Sequence, residues 1–184
     1  MRARKEGFPA RSVYKLEEIQ KTFRILKKGD RVLDLGCSPG SWLLFASRAV
    51  GDEGLVVGVD ITPVSLQLPS NVRFVTYDAL GGDTSFLEAI GGPFDVVLSD
   101  MAPFTTGSKF VDAHRSLELS QAALATASRV LVVGGVFVCK VFHGPDFKRF
   151  SEQVKPLFGR VAHVKPRSTR RASKEIYLVG LEKK

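Results

Sequence analysis

A lysine stands inside an otherwise apolar run, Val136-Phe-Val-Cys-Lys140-Val-Phe142. Fully buried lysine is rare unless it is paired or functional. An amine near a strand end, where an α/β sheet presents its site, can take or hold the proton of a weak nucleophile. The alternative is an edge-strand lysine whose head snorkels to water; Lys140 alone does not decide between them. Asp100 closes a second apolar run, Phe94-Asp-Val-Val-Leu-Ser-Asp100, Glu175 precedes a third, and Lys15 lies in an amphipathic stretch near the N-terminus. Taken singly, Asp100, Glu175 and Lys15 each read as ordinary surface charges.

A second constellation is Val32-Leu-Asp34-Leu-Gly36-Cys-Ser38-Pro39-Gly40-Ser41-Trp42. It runs from a short apolar stretch through a turn of Gly, Ser and Pro into an apolar helical stretch, the first unit of a doubly wound α/β fold. Gly36 and Gly40 have no Cβ, so backbone can approach a ligand there, and the helix that follows points free N–H groups at the turn. The glycine spacing is not the dinucleotide fingerprint, and the lysine of a phosphate-binding loop is missing. An acid just before the glycines suits a cationic or hydroxyl-bearing ligand. S-adenosylmethionine fits, because its amino group and sulfonium are positive. A tight turn with no ligand is the other reading. Asp60 ends the next strand, twenty residues after Gly40, where a carboxylate suits the two ribose hydroxyls of an adenosine. Asp78 follows the third strand and is placed to accept from an adenine amino group.

The elements that must position these residues read as follows. Residues 1–10 are basic and aperiodic, a flexible arm. Ser12 is a candidate cap for a helix to about Phe23, with Val13, Leu16 and Ile19 on one face. Strands are expected at Arg31–Leu35, Leu55–Val59, Val72–Val75, Phe94–Leu98, Val136–Phe142, Arg160–Lys165 and Ile176–Leu181. Helices are expected at Trp42–Val50, Thr84–Ile90, His114–Val132 and Pro145–Phe158, with a loop over Phe104–Asp112. Alternation of strands and helices predicts a mainly parallel sheet covered on both faces. The short link Pro166–Ser173 predicts an antiparallel hairpin at the C-terminus.

The chain has 184 residues, 44% of them hydrophobic and 25% charged. That suits one α/β domain with a full core. No stretch approaches the roughly 20 apolar residues of a membrane span, and the charged N-terminus has no apolar signal core; no membrane partner and a cytoplasmic location are expected. Cys37 and Cys139 match no metal spacing and read as reduced, buried thiols. The net charge of +8 is unevenly spread: +6 over residues 1–31, −6 over 32–147 and +8 over 148–184. If the basic ends meet, they form one face suited to a polyanion; otherwise they only solubilise helices.

With Arg11-Ser-Val-Tyr-Lys-Leu, Leu33-Asp-Leu-Gly-Cys-Ser-Pro-Gly-Ser-Trp, Ser99-Asp-Met-Ala-Pro, Gly134-Gly-Val-Phe-Val-Cys-Lys-Val-Phe, Lys165-Pro-Arg-Ser and Ser173-Lys-Glu-Ile-Tyr, the chain resembles the FtsJ/RrmJ family of RNA 2′-O-ribose methyltransferases over essentially its whole length. The resemblance implies a class I methyltransferase sheet of seven strands and methylation of a ribose 2′-hydroxyl, expected in a uridine of large-subunit ribosomal RNA, with S-adenosylmethionine as cofactor, no metal, and a monomer as the acting form. It places a Lys-Asp-Lys-Glu tetrad on Lys15, Asp100, Lys140 and Glu175. Lys140 would deprotonate or orient the hydroxyl, Asp100 and Glu175 would hold it, and Lys15 would position the ribose. Cofactor contacts are expected from Asp34, Gly36, Ser38, Pro39, Gly40, Trp42, Asp60, Ile61, Asp78, Ala79 and Asp100. RNA phosphates would meet Arg2, Arg4, Lys5, Arg11, Lys165, Arg167, Arg170 and Arg171, with Lys148, Arg149 and Lys174 as further cations. The chain departs from the family at Ser41, where glycine is usual, and its start lies close to the Lys15 helix. Rival readings are a transfer RNA ribose methyltransferase, a small-molecule methyltransferase, against which the basic ends argue, and a catalytically silent ribosome assembly factor.

Overall fold

Apolar β-branched runs separated by glycine turns give a sheet buried on both sides. The computed structural model describes residues 2–80, 84–103 and 106–184. They form seven strands: β1 Arg31–Leu35, β2 Leu55–Asp60, β3 Val72–Thr76, β4 Phe94–Ser99, β5 Leu131–Phe142, β6 Phe158–Val164 and β7 Glu175–Lys183. The sheet order is β3-β2-β1-β4-β5-β7-β6. The first five strands are parallel; β7 lies antiparallel between β5 and β6. This is the class I methyltransferase arrangement that the sequence predicts, with its C-terminal hairpin.

Six helices cover it: α1 Arg2–Lys5, α2 Val13–Phe23, α3 Ser41–Val50, α4 Thr84–Ile90, α5 Lys109–Val130 and α6 Pro145–Val154. Alternation along the strands divides the core into two layers. Leu33, Leu35, Val97, Phe137, Cys139 and Leu178 share a cluster with residues of α4, α5 and α6. Val32, Val96, Leu98, Val138, Tyr177 and Val179 share one with Leu16 and Ile19 of α2 and Trp42, Leu43 and Ala46 of α3. Burying each of Leu16 and Ile19 contributes roughly 1.5–3 kcal/mol, and that burial fixes the face of α2 on which Lys15 sits.

Several boundaries differ from the sequence reading. The basic arm is not free: it forms α1, and Ala3 and Phe8 pack with Val13, Tyr14, Leu44 and Phe45. Two apolar side chains among the charges were enough to dock it. Ser12 is itself helical and its hydroxyl makes no capping bond; instead its carbonyl accepts from Trp42 Nε1 at 3.0 Å. The helix α5 starts at Lys109, five residues before His114; residues 104 and 105 of the expected loop lie outside the described residues. The strand β5 starts at Leu131 and passes through a register irregularity opposite Phe94–Val96, where Gly134 has φ 82°. α6 stops at Val154, and a single 3-10 turn, Lys155–Leu157, leads into β6.

Candidate active site and nucleic-acid interface

The parallel strands leave their carboxyl ends on one edge of the sheet, and β1, β2, β3 and β4 open there onto a cavity of about 320 Å³. Its lining includes Gly36, Ser38, Asp60, Ile61, Asp78, Ala79 and Asp100 of the expected set. Val59, Thr62, Tyr77, Met101, Ala102 and Leu119 complete it; the sequence reading did not single these out. Asp60 is rigidly held: Ser38 N–H donates to its Oδ2 at 2.9 Å and Thr62 N–H to its Oδ1 at 2.8 Å. Asp78 Oδ1 accepts from Leu80 N–H at 2.9 Å. Three carboxylates beside apolar walls suit a nucleoside that carries positive charge. The donor set thus fits S-adenosylmethionine, and Asp60 and Asp78 are residues that could hold its nucleoside.

Asp34, Pro39, Gly40 and Trp42 do not line this cavity. The space a Cβ would need at Gly40 is filled by Leu66 Cδ1, and at Gly36 by Met101 Cγ. Both glycines have positive φ, so the turn and these neighbours require glycine at both positions. Trp42 is 2% exposed; its indole packs 5.8 Å from the ring of Tyr177. Ser41, where the family has glycine, bonds both polar groups of Ala10: Ala10 N–H donates to Ser41 Oγ at 2.8 Å, and Ser41 Oγ donates to Ala10 O at 3.1 Å.

Asp34 is fully buried, and its carboxylate oxygens accept no hydrogen bond among the described residues. Burial first, then the charges of Asp100 and Asp60, pushes its carboxyl well above the usual carboxylate range. The folded chain therefore keeps this proton at pH values where the unfolded chain has lost it. Asp34 costs no stability below about pH 4, the unfolded value, and costs progressively more as pH rises above it. Asp34→Asn should accordingly melt close to wild type at pH 4 and higher than wild type at pH 8. A chain of this size shifts its melting temperature by about 2–4 °C per kcal/mol, so a difference of about 1 kcal/mol at pH 8 is readable. A difference in melting temperature that does not grow with pH would contradict this.

The tetrad residues come together from four distant parts of the chain. Lys140 is 5% exposed, so it does not snorkel. Its Nζ lies 3.1 Å from Asp100 Oδ1 and also donates to the Asp100 carbonyl. Two of the three Nζ positions are thus taken by one residue, which leaves one for a further partner. Lys15 Nζ pairs with Glu175 Oε2 at 2.5 Å. The two ion pairs are joined by Tyr177, which was only part of a quoted motif in the sequence reading. Tyr177 is opposite Lys140 in the β5–β7 register. Its hydroxyl donates to Asp100 Oδ1 at 2.6 Å, and Lys15 Nζ lies 5.9 Å from its ring centroid. Burial, reinforced by Asp100, raises the Tyr177 phenol well above its ordinary value, so it stays a donor. Period-two alternation from Glu175 places Tyr177 on the tetrad face; that signal was present in the sequence. The thiols take no part: both are buried, and burial raises Cys139 to about 12.

A second cavity, of about 470 Å³, opens on the other side of the Lys15–Glu175 pair, lined by Ala10, Arg11, Ser12, Lys15, Ser168, Arg170, Ala172, Ser173 and Glu175. The two basic ends of the chain therefore meet. Arg11 donates to Ser168 O at 3.0 Å, and Lys165 Nζ to Ser173 O at 2.9 Å. Glu18 of α2 accepts from the backbone N–H groups of Arg167 and Ser168 at 2.6 and 2.9 Å, clamping the β6–β7 loop against the helix that carries Lys15. Arg2 pairs with Glu6 at 2.8 Å and lies over the Tyr14 ring, yet its side chain stays exposed. Arg4, Lys5, Arg167, Arg170 and Arg171 are exposed.

The comparisons with known proteins agree with this geometry. A family model described as FtsJ-like methyltransferase matches residues 8–183. The "Ribosomal RNA large subunit methyltransferase E" of Desulfatibacillum aliphaticivorans is 54% identical over 183 residues, covering 100% of this chain and 88% of that protein. The protein of the same description from Bdellovibrio bacteriovorus is 50% identical over 186 residues, covering 100% and 94%. A crystal structure from Plasmodium falciparum, described as that of a ribosomal RNA methyltransferase, superposes with a TM-score of 0.83 at 27% identity, covering 96% of this chain and 98% of that one. Among the described residues, no helix is long and apolar enough to cross a membrane. The chain belongs to the FtsJ-like methyltransferases, enzymes that take their methyl group from S-adenosylmethionine.

Proposed function

We propose that this chain methylates a ribose 2′-hydroxyl of large-subunit ribosomal RNA, a uridine being the expected target. In this reading it acts in the cytoplasm, as a monomer and a single domain. The observation that carries the reading is the position of the tetrad: Asp100 lines the first cavity while Lys15 and Glu175 line the second. A group reaching the tetrad from the cationic side meets, at Asp100, the wall of the cofactor cavity. The names of the relatives supply the RNA class.

When bound, S-adenosylmethionine supplies a methyl group on a positively charged sulfur. Asp60, Asp78 and the turn around Gly36 and Ser38 would hold its nucleoside portion. The residues of the chain do the rest. The free position on Lys140 Nζ receives the ribose hydroxyl and orients its oxygen for in-line attack, where alignment supplies much of the rate. Lys140 also takes or holds the proton that the hydroxyl loses. Asp100 and Tyr177 fix Lys140, and Lys15, anchored by Glu175, holds negative charge developing on the oxygen. Arg11, Lys165, Arg167, Arg170 and Arg171, with Arg2, Arg4 and Lys5 of α1, would meet phosphates, which gives affinity without base choice.

Incubating the protein with labelled S-adenosylmethionine and large ribosomal subunits from cells lacking the gene should label the subunit RNA. Label entering only transfer RNA would overturn the substrate assignment. The clamp at Glu18 gives a second test. Gln keeps one acceptor and loses the charge, so Glu18→Gln should raise KM for subunits several-fold while kcat stays within about twofold, the signature of a lost binding contribution. An unchanged KM would mean that the loop holds its position without the carboxylate.

A further inference from the structure

The described residues leave one large aromatic almost wholly in water: Phe110, 81% exposed, in the first turn of α5. A single exposed apolar side chain is ordinary on a protein surface, but this one is displayed on a built support. Asp112 Oδ1 accepts from both Thr106 N–H at 2.8 Å and Thr106 Oγ1 at 2.9 Å. Asp112 N–H donates to Ser108 O at 2.9 Å, and Ser108 N–H to Thr106 Oγ1 at 3.2 Å. The turn that ends in Phe110 is thus cross-braced.

Its place in the fold is also specific. Ala113, one helical turn on, has its Cβ 3.9 Å from where a Cβ of Gly144 would stand. In the same turn, His143 N–H donates to Lys174 O at 2.8 Å, and Lys174 adjoins Glu175 of the tetrad. On the other side, Met101 and Ala102 line the cofactor cavity, as does Leu119 of α5 itself. Phe110 therefore stands at the amino end of α5, the helix whose Leu119 borders the cofactor cavity and whose Ala113 adjoins the turn bonded to Lys174; Arg115 and Lys174 are exposed. Among the described residues no other phenylalanine, tyrosine or tryptophan is exposed, although the imidazoles of His114 and His143 are.

We propose that Phe110 is a stacking platform for an unpaired nucleobase of the RNA, beside the ribose being methylated. This rests on the RNA reading given above. Bases of single-stranded RNA are held mainly by stacking on aromatic faces, with phosphates met by nearby cations. Stacking is tolerant of base identity, so this site adds affinity and positions the strand without choosing a sequence.

The test uses the full-length protein. Stacking is worth about 1–3 kcal/mol per base, so Phe110→Ala should raise KM for large subunits by about 5- to 150-fold and leave kcat within about threefold. Phe110→Trp should restore KM, and Phe110→Leu, apolar but without a π face, should not. Because Trp42 is the only native tryptophan and is buried, Phe110→Trp also reports directly. Its emission should be quenched by a single-stranded uridine-rich RNA and not by S-adenosylmethionine alone. Quenching by the cofactor alone would make Phe110 a cover for the cofactor cavity and overturn the proposal. So would a wild-type KM in Phe110→Ala, or a Phe110→Leu enzyme as good as wild type. Should wild-type enzyme leave subunits unlabelled, the subunit reading fails, while the quenching measurement still decides the fate of Phe110.

Discussion

Lys140→Ala should bind S-adenosylmethionine within about threefold of wild type and yet transfer methyl at least 10²–10⁴-fold more slowly, the usual contribution of a positioned acid-base group. The cofactor cavity is bounded by Asp60, Asp78 and Asp100, and Lys140 does not line it. The amine contacts Asp100 with two of its three positions, so its removal vacates the place of the reacting hydroxyl rather than that of the nucleoside. Lys140→Arg should not restore the rate. A guanidinium stays protonated, and its planar fork cannot occupy a pocket built for a single nitrogen. Single-turnover measurements at saturating RNA and cofactor isolate the chemical step from binding. Transfer within tenfold of wild type in Lys140→Ala would move the centre of the chemistry to another group.

Asp100→Asn should be damaging in two separable ways. One carboxylate oxygen accepts from both Lys140 Nζ and Tyr177 Oη, and the residue also edges the cofactor cavity. Neutralising it strands the ammonium of Lys140, which is 4% exposed, without a counter-charge. Breaking a buried pair by removing one partner costs about 3–5 kcal/mol. The variant should therefore melt well below wild type, bind cofactor more weakly and transfer methyl no faster than Lys140→Ala. Combining Asp100→Asn with Lys140→Ala removes both charges. The double variant should recover part of the stability lost by Asp100→Asn alone, because partners in contact are not additive, and it should recover none of the activity. Denaturant titration of the four proteins measures this. A double variant less stable than either single one would show that the pair is not the stabilising feature.

The fold was largely legible because its signals are local. Apolar runs such as Val32–Leu35 and Val96–Leu98 end in Gly, Ser or Asp, and those ends mark where the sheet opens. Glu175 and Tyr177 were separated by the accident that only one carries a charge, although alternation puts both on one face. What the sequence could not show is which side chains fill the space beside a glycine. Both Gly36 and Gly40 read as places for a ligand; side chains of Met101 and Leu66 occupy the space a Cβ would need there, yet Gly36 lines the cavity and Gly40 does not. The Asp34 acid, read as a cofactor contact, lies wholly beneath the surface. The basic arm failed as a prediction of freedom for a similar reason: Ala3 and Phe8 find partners contributed by α2 and α3, a tertiary fact absent from the local pattern. The clamp between Glu18 and the β6–β7 loop joins residues some 150 apart and has no local signature.

The chemical position of the transferred methyl group tests the central claim most directly. RNA labelled by the enzyme from methyl-labelled S-adenosylmethionine should be digested with alkali. A free 2′-hydroxyl is needed for alkaline cleavage, so methylation there leaves the label in an alkali-resistant dinucleotide. The geometry of Lys140, Asp100, Lys15 and Glu175 predicts this result for wild type and its loss in Lys140→Ala. Label recovered in mononucleotides, on a base, would contradict it.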